Sequence, residues 1–519
     1  MSDSSHRYDR PQRIVIAGGG FAGFHAARTL SRLMNRRWRR RQLGAGEVEI
    51  VVINPADYFL YLPLLPEVAS GILDPRRVAV PLTDLEPGVR LMPGTVTEVD
   101  IDGRRVGLAD PEGERRTVSY DRLLLTVGSV GKLLPIPGVA EHALGFRSIG
   151  EALALRDHLV RQVELAAAIG APSARAEAER DARCTFVVVG AGYTGTEVAA
   201  HGQLLTQAAA ARHAGLRDQP IRWLLLDIAP RLLPELDPHL SATATRVLTR
   251  RGVEVRAGTT IEKAANDGVL LSDGEFVPTR SLIWCVGVRP DPLINALGLP
   301  TASGRLAVDA YLAVPGHPEI FACGDAAAVP DLTRPGQLTA MTAQHAMRQG
   351  RRAAGNAAAS LGYGRRRPYK HHDLGFTVDL GGFKAAANPV GLRLSGLTAK
   401  VVTRGYHLAA IPDNRIRIAA EWLLDAALPR QAVQLGLSSE RARPLAWPPP
   451  CPPRYWTGCA ASPPASRRPD PVLPQIKQPR QRPGSRVIPG DLSPAACPTS
   501  VWPRRRGIRA PERARLPGR

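Results

Sequence analysis

The chain has 519 residues, 44% of them apolar and 22% charged, with a formal net charge of +21. This is an ordinary globular composition, and at roughly 150 residues per domain the length asks for more than one domain. The charge alone would point to nucleic acid or an anionic surface. Its placement argues otherwise: residues 441–519 hold 16 Lys and Arg against three Asp and Glu, residues 31–46 hold six Arg and no acid, and the rest is close to neutral. No nucleic-acid partner is expected. No run of 18 apolar residues is present, which excludes a membrane-crossing helix, and the opening MSDSSHRYDR lacks the apolar stretch of a signal peptide. The six cysteines, at 184, 285, 323, 451, 459 and 497, show no C-x-x-C spacing. Isolated reduced thiols are therefore expected, with no metal site and no disulfide framework.

In chain order, RIVIA (13–17) is a buried strand, GGGFAG a glycine turn, and FHAARTLSRLM a helix. Residues 35–46 are basic and end in Gly, and read as a loop. VEIVVIN (48–54) is the second strand, and the Pro-rich stretch 55–75 is irregular but packed. Short strands fall at 94–108 and 116–126, and a helix at 149–168. The opening pattern then returns: CTFVVVG (184–190) is a strand, AGYTGTE a glycine turn, VAAHGQLLTQAAAARH a helix, and IRWLLLD (221–227) a second strand. Strands near 253–256, 268–271 and 281–286 and a helix near 340–359 complete the periodic part. Residues 373–440 mix short apolar runs with Gly. The tail 441–519, rich in Pro and Arg and without periodicity, reads as disordered.

The duplication of a strand–GxGxxG–helix unit about 170 residues apart implies two dinucleotides in one α/β chain. In Gly18-x-Gly20-x-x-Gly23 the glycines allow the turn, the approach of a pyrophosphate and close helix packing, while the helix N-terminus offers free N–H groups. The strand after this unit ends in Asn54 where an acid would bind a ribose diol. Asn54 either hydrogen-bonds the ribose or opens a turn with Pro55. The second fingerprint is Gly190-x-Gly192-x-x-Gly195, and its unit ends in Asp227. An acid there accepts from a 2′,3′-diol and repels a 2′-phosphate, which favours NADH; the alternative is a turn acid before Pro230. Glu197 either complements the helix dipole or floors the cofactor cleft. Asp325, in FACGD, can accept from flavin ribitol hydroxyls or join the pyrophosphate network.

The series GGGFAG, LLLTVGS, VVVGAGYTGTE, IWCVGVRP, FACGDAAAV and MTAQHAMRQG resembles the two-dinucleotide-binding flavoprotein oxidoreductases over residues 12–437. Together with YFLYLPLLPEVASGIL (58–73), it looks most like the type II NADH dehydrogenases, the non-pumping NADH:quinone oxidoreductases. The resemblance implies two Rossmann-like domains: an FAD-binding domain in two parts, 12–148 and 291–372, around an NADH-binding domain at 149–290. A C-terminal interface region, 373–440, precedes the tail. FAD would contact Gly18, Gly20, Phe21, Ala22, Gly23, Asn54, Val96, Gly128, Gly324, Asp325 and Ala343. NADH, as substrate, would contact Gly190, Gly192, Tyr193, Thr194, Gly195, Asp227 and Gly287. Glu197, near the nicotinamide, and Gln344, at the quinone side, would be the catalytic pair. His345 is either a proton donor or a packed helix residue, and Cys184, Cys285 and Cys323 read as core.

The acceptor implied is a quinone, with peripheral association at the cytoplasmic membrane and room for a homodimer. The alternative is a soluble NADH-dependent reductase of a ferredoxin-like or other small acceptor. Residues 416–437 are a candidate interfacial helix pair, in which Trp422, Leu423, Leu424, Leu428, Val433 and Leu435 face lipid or pack on the protein. Arg36–Arg41 is a candidate for anionic headgroups or a solvated loop.

Overall fold

The computed structural model describes residues 11–39, 48–83, 88–170, 173–429 and 431–436, with backbone alone for 36–39. The expected disordered tail, Arg40, Arg41 and the last three cysteines lie outside these residues.

Two sheets are built on one plan. In the first, Gln12–Ala17 is central, parallel to Val48–Asn54 on one side and to Arg122–Leu125 on the other. Val89–Pro93 extends the first side, and His317–Ala322 then Ala313–Val314 the second. In the second sheet Thr185–Val189 lies between Arg222–Asp227 and Ser281–Trp284, with Val253–Ala257 and Ala143–Leu144 at the edges. These strands read as unbroken apolar runs because both faces are covered; Ile14, Val15, Ile16 and Phe186, Val187, Val188 have no exposed surface. Trp223 carries the second core. It is fully buried, stacks on Phe186 with ring centroids 4.9 Å apart, and donates its indole N–H to Thr206.

Seven helices matter here: α1 (Phe21–Arg39), α2 (Leu65–Ala69), α3 (Ile149–Ala167), α4 (Tyr193–Ala210), α5 (Ala343–Ser360), α6 (Gly396–Ala410) and α7 (Arg415–Ala427). α1 and α4 follow the two glycine turns. α3 opens on a capping box, in which Ser148 and Glu151 each satisfy the other's backbone N–H. α5 crosses α1 so closely that a Cβ on Gly350 would stand 2.1 Å from the Ala22 carbonyl oxygen.

Two expectations are corrected. Residues 35–39 are not loop, because α1 runs through Arg39; arginine is a good helix former and no breaker intervenes before Gly44. Residues 416–437 do not form a helix pair. α7 ends at Ala427, and Leu428 turns extended ahead of Pro429. The segment beyond it is tied down by Asp157, whose two carboxylate oxygens accept from the Leu435 and Gly436 N–H groups at 3.0 and 2.9 Å. Trp422 faces inward: it is 4% exposed, whereas Leu423 and Leu424 are 72% and 55% exposed. The helix α6 went unread because Gly396, Gly405 and two threonines break its apolar pattern. It packs on an antiparallel sheet of Thr377–Asp379, Ala385–Ala387 and Leu394–Ser395.

Gly350→Ala is expected to destabilise the protein by about 1–3 kcal/mol through overpacking against backbone, read as a lower urea midpoint. An unchanged midpoint would contradict the close crossing.

Candidate functional site: two glycine turns on one cavity

The two fingerprints make matching hydrogen bonds. Gly18 N–H donates to Ile53 O and Gly190 N–H to Leu226 O, both at 2.8 Å. Gly18 and Gly190 have φ of +103° and +100°, and a Cβ on either would strike the strand alongside, 2.5 Å from Thr126 O and 2.3 Å from Cys285 O. A Cβ on Gly23 would lie 1.8 Å from Gly18 O, and one on Gly195 1.8 Å from Gly190 O. The first and third glycines are thus required by packing. Gly20 and Gly192 are different: a Cβ on either would meet nothing within 4 Å. They leave the approach to each helix N-terminus clear, and that opening fits a pyrophosphate.

Asn54 and Asp227 also correspond. Asn54 Oδ1 accepts from Gly19 N–H at 2.8 Å, and Asp227 Oδ2 accepts from Ala191 N–H at 2.6 Å. The second arm differs. Asn54 Nδ2 donates to Ala56 O, closing its own turn, whereas Asp227 Oδ1 accepts from Ala229 N–H. Each Asp227 oxygen keeps a lone pair for a hydroxyl donor, and the Asn54 amide keeps one lone pair and one N–H.

The first turn opens on a cavity of about 920 Å³, lined mainly by apolar groups, which meets the second unit at Tyr193, Thr194 and Glu197. It brings together Gly18, Gly20, Phe21, Ala22, Asn54, Val96, Gly128, Tyr193, Thr194, Glu197, Gly324, Asp325, Ala343 and Gln344. It does not reach Gly23, Gly190, Gly192, Gly195 or Asp227. Gly287 lines a second cavity of about 290 Å³, which shares Ser129, Phe146, Arg147, Thr194 and Val288 with the first. Two polar atoms in the wall of the large cavity are buried without a hydrogen-bond partner, the Tyr193 hydroxyl and Gln344 Oε1. The Gln344 side chain is oriented by its Nε2, which donates to Gly375 O at 2.6 Å. Tyr193 stacks on Phe376.

Several wall residues escaped the sequence reading. Ser129 donates to Asp325 Oδ2 at 2.7 Å, and Arg147 donates to Ser129 O at 2.9 Å. Gln349 Oε1 accepts from Gly324 N–H at 2.8 Å, shaping the turn that presents Asp325. Ser129 stands within the quoted LLLTVGS, but Arg147 had no signal beyond preceding a helix. His345 is a packed residue: its Nδ1 lies 2.9 Å from the Tyr369 hydroxyl, and burial, then His371, lower its pKa to about 4. Cys184, Cys285 and Cys323 are free. Burial pushes their thiols up to about 11, 12 and 12, so they rest protonated and unreactive.

Two matching glycine turns, the first opening on an apolar cavity that the helix after the second also lines, with no dithiol among the described residues, define an oxidoreductase of the two-dinucleotide class. A family model described as pyridine nucleotide-disulphide oxidoreductase matches residues 12–350, and the chain belongs to that family. The chain is similar to the demethylphylloquinone reductase NdbB of Synechocystis, at 30% identity over 424 residues covering 80% of this chain and 96% of the relative. It is also similar to the type II NADH:quinone oxidoreductase Ndh of Mycobacterium tuberculosis, at 29% identity over 455 residues covering 83% and 92%. Its fold matches that of NDH2 from Plasmodium falciparum in complex with NADH, with a TM-score of 0.71, 16% identity, and coverage of 82% of this chain and 100% of that one.

Gly23→Ala forces α1 away from Gly18. An overpacking cost of about 1–3 kcal/mol corresponds to roughly 5–150-fold weaker binding of the dinucleotide there. Flavin retained per protein after gel filtration is the measurement, and full retention would show that the packing does not govern binding.

Proposed function

We propose that the chain is an FAD-dependent NADH:quinone oxidoreductase: hydride passes from NADH to FAD, and two electrons then pass to a membrane quinone, without proton pumping. The observation that carries this reading is the single cavity lined by Gly18 and Gly20 of the first turn and by Tyr193, Thr194 and Glu197 at the start of α4, with Gln344 in its wall and exposed apolar residues beside it. FAD, when bound, supplies the two-electron redox chemistry. The rest is the work of the chain. Gly18, Gly20 and the α1 N-terminus hold the FAD pyrophosphate, with Gly23 packing beneath. Phe21, Ala22, Val96, Gly128, Gly324 and Ala343 wall it in, Asn54 serves its ribose, and Asp325, braced by Ser129, takes the ribityl arm. The second unit, 149–290, holds NADH through Gly190, Gly192, Gly195, Tyr193, Thr194, Asp227 and Gly287. Glu197 faces the nicotinamide, and Gln344 offers an amide to the quinone.

Among the described residues no helix is long and apolar enough to cross a membrane. A lipid-soluble acceptor must therefore be met at the bilayer surface. Pro389, Val402, Tyr406 and His407 line the cavity. Their neighbours Val390 and Val401 are 76% and 64% exposed, and Leu392, Leu397, Ile416, Leu423 and Leu424 are exposed as well. An apolar patch flanking a cavity suits a bilayer contact that delivers quinone directly. Peripheral contact at the cytoplasmic face of the membrane is part of this proposal. The described cysteines are unpaired and held as thiols, which argues against disulfide chemistry.

The test is anaerobic. NADH should bleach the yellow flavin, and a quinone analogue should restore it; reoxidation by a ferredoxin-like protein but not by quinone would favour the soluble reductase instead. Leu423→Glu combined with Leu424→Glu should reduce co-sedimentation with lipid vesicles by at least about tenfold, from the apolar burial lost, with NADH-to-flavin transfer intact. Asp227→Ala should raise KM for NADH by about 10–100-fold, the value of a hydrogen bond to a charged group, with flavin content unchanged. Equal use of NADPH by the unsubstituted protein would remove the role given to Asp227.

A further inference from the structure

One stretch of the cavity wall, residues 369–376, is neither helix nor strand, yet it is held at both ends. Leu374, Gly375 and Phe376 line the cavity together with Thr342, Ala343 and Gln344 of α5 and its cap. Irregular backbone stays in one place only where its groups are tied down. Here Tyr369 N–H donates to Ala310 O at 2.8 Å, Asp373 accepts Gly375 N–H at 2.8 Å, and Asn388 Oδ1 accepts Phe376 N–H at 2.6 Å. Gly375 has φ of +81°, and a Cβ on it would stand 1.9 Å from Asn388 O.

Side chains of α5 grip the segment from the other side. The His345 and His371 rings lie 3.9 Å apart between centroids, with 30° between their planes. The Tyr369 hydroxyl is 2.9 Å from His345 Nδ1 and 3.4 Å from His371 Nδ1. Arg348 donates to His372 O at 2.5 Å and stands 3.3 Å from His371 Nδ1. A guanidinium can only donate, so His371 Nδ1 is an acceptor and carries no proton. Tyr369 and His345 are buried and His371 is half-buried, and none of these side chains lines the cavity. Their grip reaches the cavity through one bond. Gly375 O accepts from Gln344 Nε2, and Gln344 Oε1 is the buried end of the amide. The two ends of an amide are nearly alike in shape, so hydrogen bonding decides their placement. Turned over, Oε1 would meet Gly375 O, acceptor against acceptor. A fixed Gly375 O therefore fixes the amide, and Nε2 keeps a second N–H that suits a carbonyl oxygen.

We infer that Arg348, Tyr369 and His371 are positioning residues for acceptor binding: they pin residues 369–376, Gly375 O then orients the Gln344 amide, and the segment sets the affinity for a carbonyl-bearing acceptor. This inference rests on the quinone-reducing reading and on the role given there to Gln344.

The histidine stack adds a pH signature. His371 is faced by His345 and Arg348 from α5, by Asp331 from the loop ahead of α5, and by Tyr369, His372 and Asp373 from its own segment. Burial first, then Arg348, lowers its pKa; His372 adds to this, and Asp373 and Asp331 oppose it. The neutral ring, which accepts from Arg348, is thus the form present at neutral pH. As pH falls below the ordinary histidine range, protonation removes the acceptor and sets a cation beside Arg348. His345, lowered to about 4, stays neutral through most of that range. The grip is therefore intact at neutral pH and lost on the acid side, where KM for the acceptor rises.

The test separates the half-reactions by anaerobic stopped flow on the FAD-loaded full chain. His371→Ala should raise KM for a short-chain quinone analogue about 5–30-fold, the value of one or two lost hydrogen bonds. Reduction of the flavin by NADH should be unchanged, as should reoxidation by ferricyanide, which has no carbonyl. His371→Phe keeps a ring in the stack, and should recover much of the KM while abolishing its rise at acid pH. Arg348→Met gives the same comparison where His371→Ala does not fold. In a Gln344→Met background His371→Ala should change KM by less than about twofold, because a positioning residue acts through the group it positions. A KM unmoved in both His371→Ala and Arg348→Met would overturn the inference, as would a full further rise in the Gln344→Met background. Equal slowing with quinone and ferricyanide would mark a merely structural role and overturn it too. Failure of the quinone reading shows instead in the unsubstituted protein, reduced by NADH and not reoxidised by quinone. Failure of the role given to Gln344 shows in Gln344→Met alone, as an unmoved KM.

Discussion

The structure depends on two places where backbone touches backbone. At Gly18–Gly23 and at Gly190–Gly195 a helix N-terminus lies so near its strand that a single methyl group would stand 1.8 Å from a carbonyl oxygen. That contact forces each turn to bring its helix in over the end of the sheet, with unpaired N–H groups directed outward. Because the same constraint operates twice, on sheets with the same strand plan, two equivalent helix N-termini with open approaches arise in one chain. The central cavity lies between them.

The rest of the molecule covers and tunes this arrangement. α5 crosses α1 at Gly350 and carries Ala343 and Gln344 into the cavity wall. The C-terminal sheet with α6 and α7 closes the far side. Its attachments are largely polar: Lys400 to Asp379, Trp422 to Glu67 and His407 to Tyr61 are buried, and Glu421 to Arg77, at 2.5 Å, is half-buried. Buried pairs of this kind add little net stability but specify one arrangement over others. The outer surfaces of these same elements carry the exposed apolar patch. One region therefore both completes the cavity and offers the surface at which a lipid-soluble acceptor would arrive.

The glycine turns were legible in the sequence because their chemistry is local. Gly18 and Gly190 need left-handed backbone and Gly23 and Gly195 need contact, and both demands fall inside six residues. The pairing of Asn54 with Asp227 was visible too, as a strand-end amide in one unit against a strand-end acid in the other. What could not be read depends on distance along the chain. Trp422, within a run of leucines, could equally face lipid or pack on the protein, and what decides is Glu67, 355 positions earlier, which its indole meets. Asp379 and Lys400 sit in a stretch of glycine and alanine with no periodic marker, and only the fold brings them beside Glu197. Helix α6 was hidden by its glycines and threonines, and the extension of α1 by a run of arginines that suits solvent and helix equally well.

The central claim is that NADH and the acceptor are served by one cavity, with the acceptor entering beside α5 and α6 and not through the second glycine unit. A photoreactive quinone analogue cross-linked to the flavin-loaded protein, with the modified peptides identified by mass spectrometry, tests this most directly. The account predicts labelling within Met341–Ala346 or Val402–His407, diminished by excess unlabelled quinone. Labelling confined to the Gly190–Asp227 unit, and abolished by NADH, would contradict it.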